Sequence, residues 1–102
     1  MSTRYLYKAS FLEYLNTKAS TVLGDMVSRF HGEARTASIE AWEIEIDIMQ
    51  KILSQFQDRD GQIIFEYDIP RLGKRIDTVL LYKGIVFCIE FKTKETEIHE
   101  AD

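Results

Sequence analysis

The chain of 102 residues has one cysteine, one proline and five glycines. A single Cys88 excludes an internal disulfide and any cysteine-based zinc cluster, and it fits a reducing compartment. No apolar run approaches the ~18 residues of a membrane span, and the N-terminus lacks the continuous apolar stretch of a secretory signal. These absences point to a cytoplasmic protein. Basic residues are not in excess: the net charge is -4, which makes no general case for a polyanionic partner. Repeats and low-complexity segments are also missing.

What is present is a globular composition, 45% hydrophobic. The length allows one domain with one core. Charge is uneven along it. Residues 71–94 carry six cations (Arg71, Lys74, Arg75, Lys83, Lys92, Lys94) against Asp77 and Glu90. Such a strip suits either a polyanion or a solvated sheet edge. Arg71, Lys74 and Arg75 accordingly read either as phosphate contacts or as surface charges.

Residues 1–35 read as an N-terminal segment of short helices. Ser10 caps one through Leu15, and Val22, Leu23, Met26, Val27 and Phe30 recur at helical spacing in the next, which His31-Gly32 stops. A long helix is expected from Ser38 to Gln57, capped by Thr36 or Ser38. Ile39, Trp42, Ile46, Met49, Leu53 and Phe56 form its stripe, and Ile44, Ile48 and Ile52 widen it. A helix this apolar is expected to be covered on most sides. At about 100° per residue, Glu45 alone among its acids falls inside the apolar arc; Glu40 and Asp47 lie opposite.

Asp58-Arg-Asp-Gly61 is a turn. It begins like a calcium loop, but Ile69 stands where the bidentate glutamate belongs, so calcium is excluded there. Gln62–Ile69 alternates as a strand that Pro70 ends. Two further strands, Arg75–Tyr82 and Ile85–Lys92, join through Lys83-Gly84. A two-residue loop sets Tyr82 opposite Ile85 and Asp77 opposite Glu90, the latter at a non-hydrogen-bonded position where side chains approach closest. Lys92 shares the face of Glu90. Opposed like charges destabilise a sheet, and a hard divalent cation is the usual remedy. Val79, Leu81, Val86 and Cys88 fall on the same face, which is therefore expected to be covered, with Cys88 a small buried hydrophobe. His31 and His99 have no partner at metal spacing and read as solvated. A charged tail follows Lys92. The expected architecture is α/β, with one long helix packed on a three-stranded antiparallel meander.

Asp-x12-Glu-x-Lys has a chemical reading. Asp77, Glu90, the backbone carbonyl of Phe91 and Glu45 hold Mg²⁺ or Mn²⁺, which activates water against a phosphodiester, and Lys92 orients the nucleophile or neutralises developing charge. The bland reading makes Glu90–Lys92 and Asp77–Arg75 exposed ion pairs, contributing roughly 0–1 kcal/mol.

At these residues the chain resembles the PD-(D/E)XK phosphodiesterase superfamily, the restriction-endonuclease-like fold. The runs Tyr7-Lys-Ala-Ser10-Phe-Leu, Leu23-Gly24, Ala41-Trp42-Glu-Ile-Glu45-Ile, Phe65-Glu-Tyr67-Asp-Ile-Pro70-Arg-Leu-Gly-Lys-Arg-Ile-Asp77 and Phe87-Cys-Ile-Glu90-Phe-Lys92 resemble the N-terminal region of bacterial proteins in which a nuclease-like part precedes a P-loop helicase-type ATPase. The superfamily motif falls on Asp77, Glu90 and Lys92, with Glu45 as the helix acid. The resemblance implies a Mg²⁺-dependent nuclease acting on DNA or RNA, with residues 36–102 as its core and 1–35 completing one domain. Such domains continue past the lysine into a helix and a further strand. This chain stops ten residues after Lys92 and has no Walker A motif, so a truncated core lacking the ATPase region is expected. The rival reading is a non-catalytic nucleic-acid-binding or dimerisation module that keeps the fold. Its homodimer would form through the edge near Ile85–Phe91 or the helices carrying Leu23, Met26 and Phe30.

Overall fold

The computed structural model describes residues 4–30 and 36–92. Seven elements follow in order: β1 (Tyr7–Ser10), α1 (Phe11–Leu15), α2 (Ala19–Arg29), α3 (Thr36–Ser54), β2 (Gly61–Ile69), β3 (Lys74–Tyr82) and β4 (Ile85–Ile89). The four strands form one antiparallel sheet in the order β1-β2-β3-β4. The α/β class is as expected. The sheet gains a strand, however, because Tyr7–Ser10 is extended and pairs with β2. Four residues are too few for periodicity to separate a strand from a helical turn, so the N-terminal segment read as all-helical. It is an integral edge of the sheet. No helix of the described residues is long and apolar enough to cross a membrane.

Ser10 ends β1 and starts α1. Its hydroxyl accepts from the Glu13 backbone N–H at 3.0 Å, and the Glu13 carboxylate accepts from the Ser10 N–H at 3.0 Å. This reciprocal capping makes a sharp strand-to-helix corner. At the end of α3, the Leu53 carbonyl accepts from the Phe56 N–H at 3.1 Å, and the Arg59 guanidinium donates to the carbonyls of Leu53 and Phe56. The helix stops at Ser54, short of the expected Gln57. Lys83 and Gly84 both take positive φ, 51° and 78°, as the two-residue turn requires. Pairing from Tyr82↔Ile85 to Thr78↔Ile89 follows the register that such a loop dictates. The strand ends at Ile89 rather than Lys92. His31-Gly32, His99 and the charged tail lie outside the described residues.

The helices cover one face of the sheet. Rows Tyr7–Phe65–Thr78–Ile89 and Ala9–Ile63–Leu80–Phe87 cross the strands on that face. Trp42, Ile46, Met49 and Leu53 of α3 close over them, with Val22 and Met26 of α2. Tyr14 of α1 is fully buried and donates its hydroxyl to the Ile46 carbonyl at 2.6 Å, tying α1 to α3. Ile44 and Ile52 are 40% and 42% exposed, so α3 is covered on one side and not on most. The face expected to be covered, bearing Val79, Leu81, Val86 and Cys88, is the one away from the helices: Val86 and Cys88 are exposed, although Val79 is buried. These residues do share one face, but the helices lie on the other.

Phe11 stacks on Tyr82 with ring centroids 6.0 Å apart. A Cβ at position 61 would collide with the Phe11 ring, so Gly61 is required by a close approach. Gly61→Ala should destabilise the fold by about 1–3 kcal/mol, read as a lower urea midpoint at unchanged slope. Unaltered stability would mean that Phe11 repacks freely.

Candidate metal centre

Pairing between β2 and β3 is continuous except at one step. Phe65↔Thr78 and Tyr67↔Ile76 are paired, while Glu66 and Asp77 between them are not. Glu66 takes φ of 56°, a left-handed conformation that costs a non-glycine residue roughly 1–2 kcal/mol. Beyond the break the flank is held by the chain before β1, where the Asp68 N–H donates to the Arg4 carbonyl at 2.7 Å.

Strict alternation would send Glu66 and Asp77 to the face away from the helices. At the break they meet the helix acid instead. Glu45, Glu66 and Asp77 each place a carboxylate oxygen so that all three lie within 4.8 Å of one another. Glu45 is 3% exposed and Glu66 7%, the two charged residues among the buried polar groups. Glu45 arrives from α3, beside Trp42, Ile46 and Met49 in the buried arc. Its Oε1 accepts from the Thr78 hydroxyl at the long distance of 3.5 Å.

Glu90 stands one step past the last β3–β4 pair. Its Oε2 accepts from the Asp77 N–H at 3.4 Å, and Asp77 Oδ2 accepts from the Phe91 N–H at 2.8 Å. Glu90 is thus linked to Asp77 and does not join the three-carboxylate cluster. The Phe91 backbone touches the site through its N–H. Lys92 is exposed. The ion pairs among the described residues are Lys51–Asp47 and Lys83–Asp58, so neither Glu90–Lys92 nor Asp77–Arg75 forms one. Arg71, Lys74 and Arg75 are all exposed. The Arg75 guanidinium lies 5.9 Å from the Phe30 ring centroid.

Glu66 is the site residue that sequence reasoning missed. A glutamate in a strand reads as solvent-facing when alternation is assumed. No residue around it signals a left-handed φ, since glycine or asparagine is the usual marker.

Burial pushes the Glu45 carboxyl far above the ordinary carboxylate range, and the nearby Glu66 and Asp77 carboxylates push it further. Glu66 is raised too, chiefly by burial, although a hydrogen bond with Glu45 and the charge of Arg75 oppose the rise. Burial and mutual repulsion thus favour a proton or a cation among these acids. Three hard carboxylate oxygens with no nitrogen or sulfur donor fit Mg²⁺, Mn²⁺ or Ca²⁺ rather than zinc or copper. No protein-family model, curated protein or solved structure matches the chain.

The raised values set a sign. The folded chain holds protons on Glu45 and Glu66 that the unfolded chain releases in the ordinary carboxylate range. The contribution of these two groups to stability without metal is therefore full at acid pH and falls as pH rises through neutrality. Urea midpoints should drop between about pH 5 and about pH 8, and Glu45→Gln should flatten the profile. A wild-type midpoint that rises over this interval would contradict the buried-acid assignment.

Proposed function

We propose that the chain is a divalent-cation-dependent phosphodiester hydrolase domain acting on DNA or RNA. The observation that carries the reading is the convergence of Glu45, Glu66 and Asp77 at the single break in the sheet ladder, two of them buried. Folding brings like charges together there despite their repulsion, in a donor set suited to a hard cation. The motif resemblance at Asp77, Glu90 and Lys92 supports the same chemistry.

Glu45, Glu66 and Asp77 would hold Mg²⁺ or Mn²⁺, which polarises a phosphoryl oxygen and lowers the pKa of bound water. The Phe91 N–H occupies Asp77 Oδ2 and fixes that carboxylate's rotamer. Glu90 accepts from the Asp77 N–H, which steadies the unpaired backbone at the break. Its second oxygen is left to accept a proton or a water. Lys92, exposed and one residue past Phe91, would neutralise charge on a non-bridging phosphate oxygen. Calorimetric titration with Mn²⁺ should show binding that Asp77→Asn abolishes, and plasmid nicking by the wild type should require the cation. Equal Mn²⁺ affinity in wild type and Asp77→Asn would remove the basis for the reading.

One observation favours a second role, self-association. β4 is a sheet edge, and its Ile85, Val86 and Phe87 are 55%, 60% and 43% exposed. No charged residue interrupts Ile85–Ile89, whereas the opposite edge, β1, is short and carries Lys8. In this register Val86 and Cys88 direct their backbone groups outward, where a second copy of β4 can pair with them. Light scattering should give the mass of two chains, and Val86→Lys should give that of one. A wild type that stays monomeric at high concentration would exclude this pairing.

A further inference from the structure

Five residues from three parts of the chain form two cation–aromatic groups that the sequence neighbours Arg29 and Phe30 join into a strip. Lys8 Nζ lies 6.0 Å from the centroid of the Tyr5 ring, and the Arg29 guanidinium lies 5.8 Å from the same ring. Phe30 follows Arg29 and carries the Arg75 guanidinium over its own ring at 5.9 Å. Trp42 of α3 supports Phe30 from beneath, edge to face, with centroids 5.5 Å apart. Cations therefore alternate with aromatic rings in the order Lys8, Tyr5, Arg29, Phe30, Arg75. The three cations are exposed and the two rings half-buried. Arg75 stands two residues before Asp77 on β3, and its charge is felt by the Glu66 carboxyl. The strip thus ends at the carboxylate cluster.

Packing alone accounts poorly for it. Exposed cation–aromatic contacts are weak, and the chain is acidic overall, yet Lys8, Arg29 and Arg75 make no ion pair among the described residues. Three exposed cations without an ion-pair partner among the described residues are a footprint for successive phosphates. Rings and guanidinium planes between them are surfaces on which unpaired bases stack. A duplex keeps its bases stacked on one another and could use only the charges.

We propose that the strip Lys8–Tyr5–Arg29–Phe30–Arg75 binds single-stranded nucleic acid and leads its backbone to the Glu45–Glu66–Asp77 cluster. The inference rests on the hydrolase reading for its destination, but its binding chemistry is separate. Lys8, Tyr5 and Arg29 thereby join the binding surface, which the sequence had located only at Arg71, Lys74 and Arg75.

The test is fluorescence anisotropy of a labelled oligothymidylate and of a duplex of equal length, in EDTA so that neither metal nor cleavage intervenes. Arg29→Glu and Tyr5→Ala should each weaken single-strand binding by about tenfold. Arg29→Glu should also lower the salt dependence, and Tyr5→Ala should leave it unchanged. The duplex should bind more weakly and be insensitive to Tyr5→Ala. Absent single-strand binding, equal affinity in both variants and wild type, or a duplex bound as tightly as the single strand would each overturn the strip. Mn²⁺ titration of Arg29→Glu separates the two readings. Retained metal binding beside unaltered oligonucleotide binding sinks the strip alone. Strip-dependent oligonucleotide binding by a wild type that takes up no Mn²⁺ sinks the hydrolase reading alone.

Discussion

Three carboxylates whose oxygens lie within 4.8 Å of one another repel whenever more than one is ionised. At an effective dielectric of about 20, each such pair would cost about 3 kcal/mol. Two of the three are buried, which adds the loss of hydration. The fold tolerates this only because packing elsewhere fixes the groups that carry them. Glu45 lies in the buried arc of α3 and cannot leave without withdrawing Trp42, Ile46 and Met49 from the core. Glu66 and Asp77 sit at the unpaired step of a ladder that is intact on both sides. The repulsion and the burial act on the same groups, and neutralising charge there would relieve both at once.

What holds α3 in place is largely aromatic. Tyr14 packs against Tyr7 and Phe65 and donates its hydroxyl to α3. Phe11, Phe56 and Tyr82 form a second cluster over Gly61. The capping exchange between Ser10 and Glu13 turns the chain so that Phe11 and Tyr14 both point inward. A local sequence signal at Ser10 is thereby connected, through two aromatic side chains, to the position of a carboxylate on α3.

Charge is segregated around this core. Acid gathers beneath α3, while Lys8, Arg29 and Arg75 lean on Tyr5 and Phe30 rather than on carboxylates. The formal charge of -4 averages over this division and conceals it. Aromatic support keeps each cation near the surface without neutralising it, which leaves the charge available to a phosphate.

Much of the framework was legible in the sequence. Lys83-Gly84 determined the last hairpin and its register, because a two-residue turn with two positive φ values admits only one pairing. The apolar stripe of α3 determined which helix acid is buried, since Glu45 falls within its arc and Glu40 does not. Ser10 announced the start of α1. Tertiary structure decided the rest. Tyr7–Ser10 became a strand because β2 was there to pair with it, not because four residues prefer extension. Alternation separates two faces of a sheet but carries no information about which one a helix will cover, so Cys88 and Val86 fell on the open side. Glu66 entered the cluster through a left-handed φ that its own residue type disfavours. Such a conformation persists only where surrounding contacts impose it, and those contacts come from distant parts of the chain.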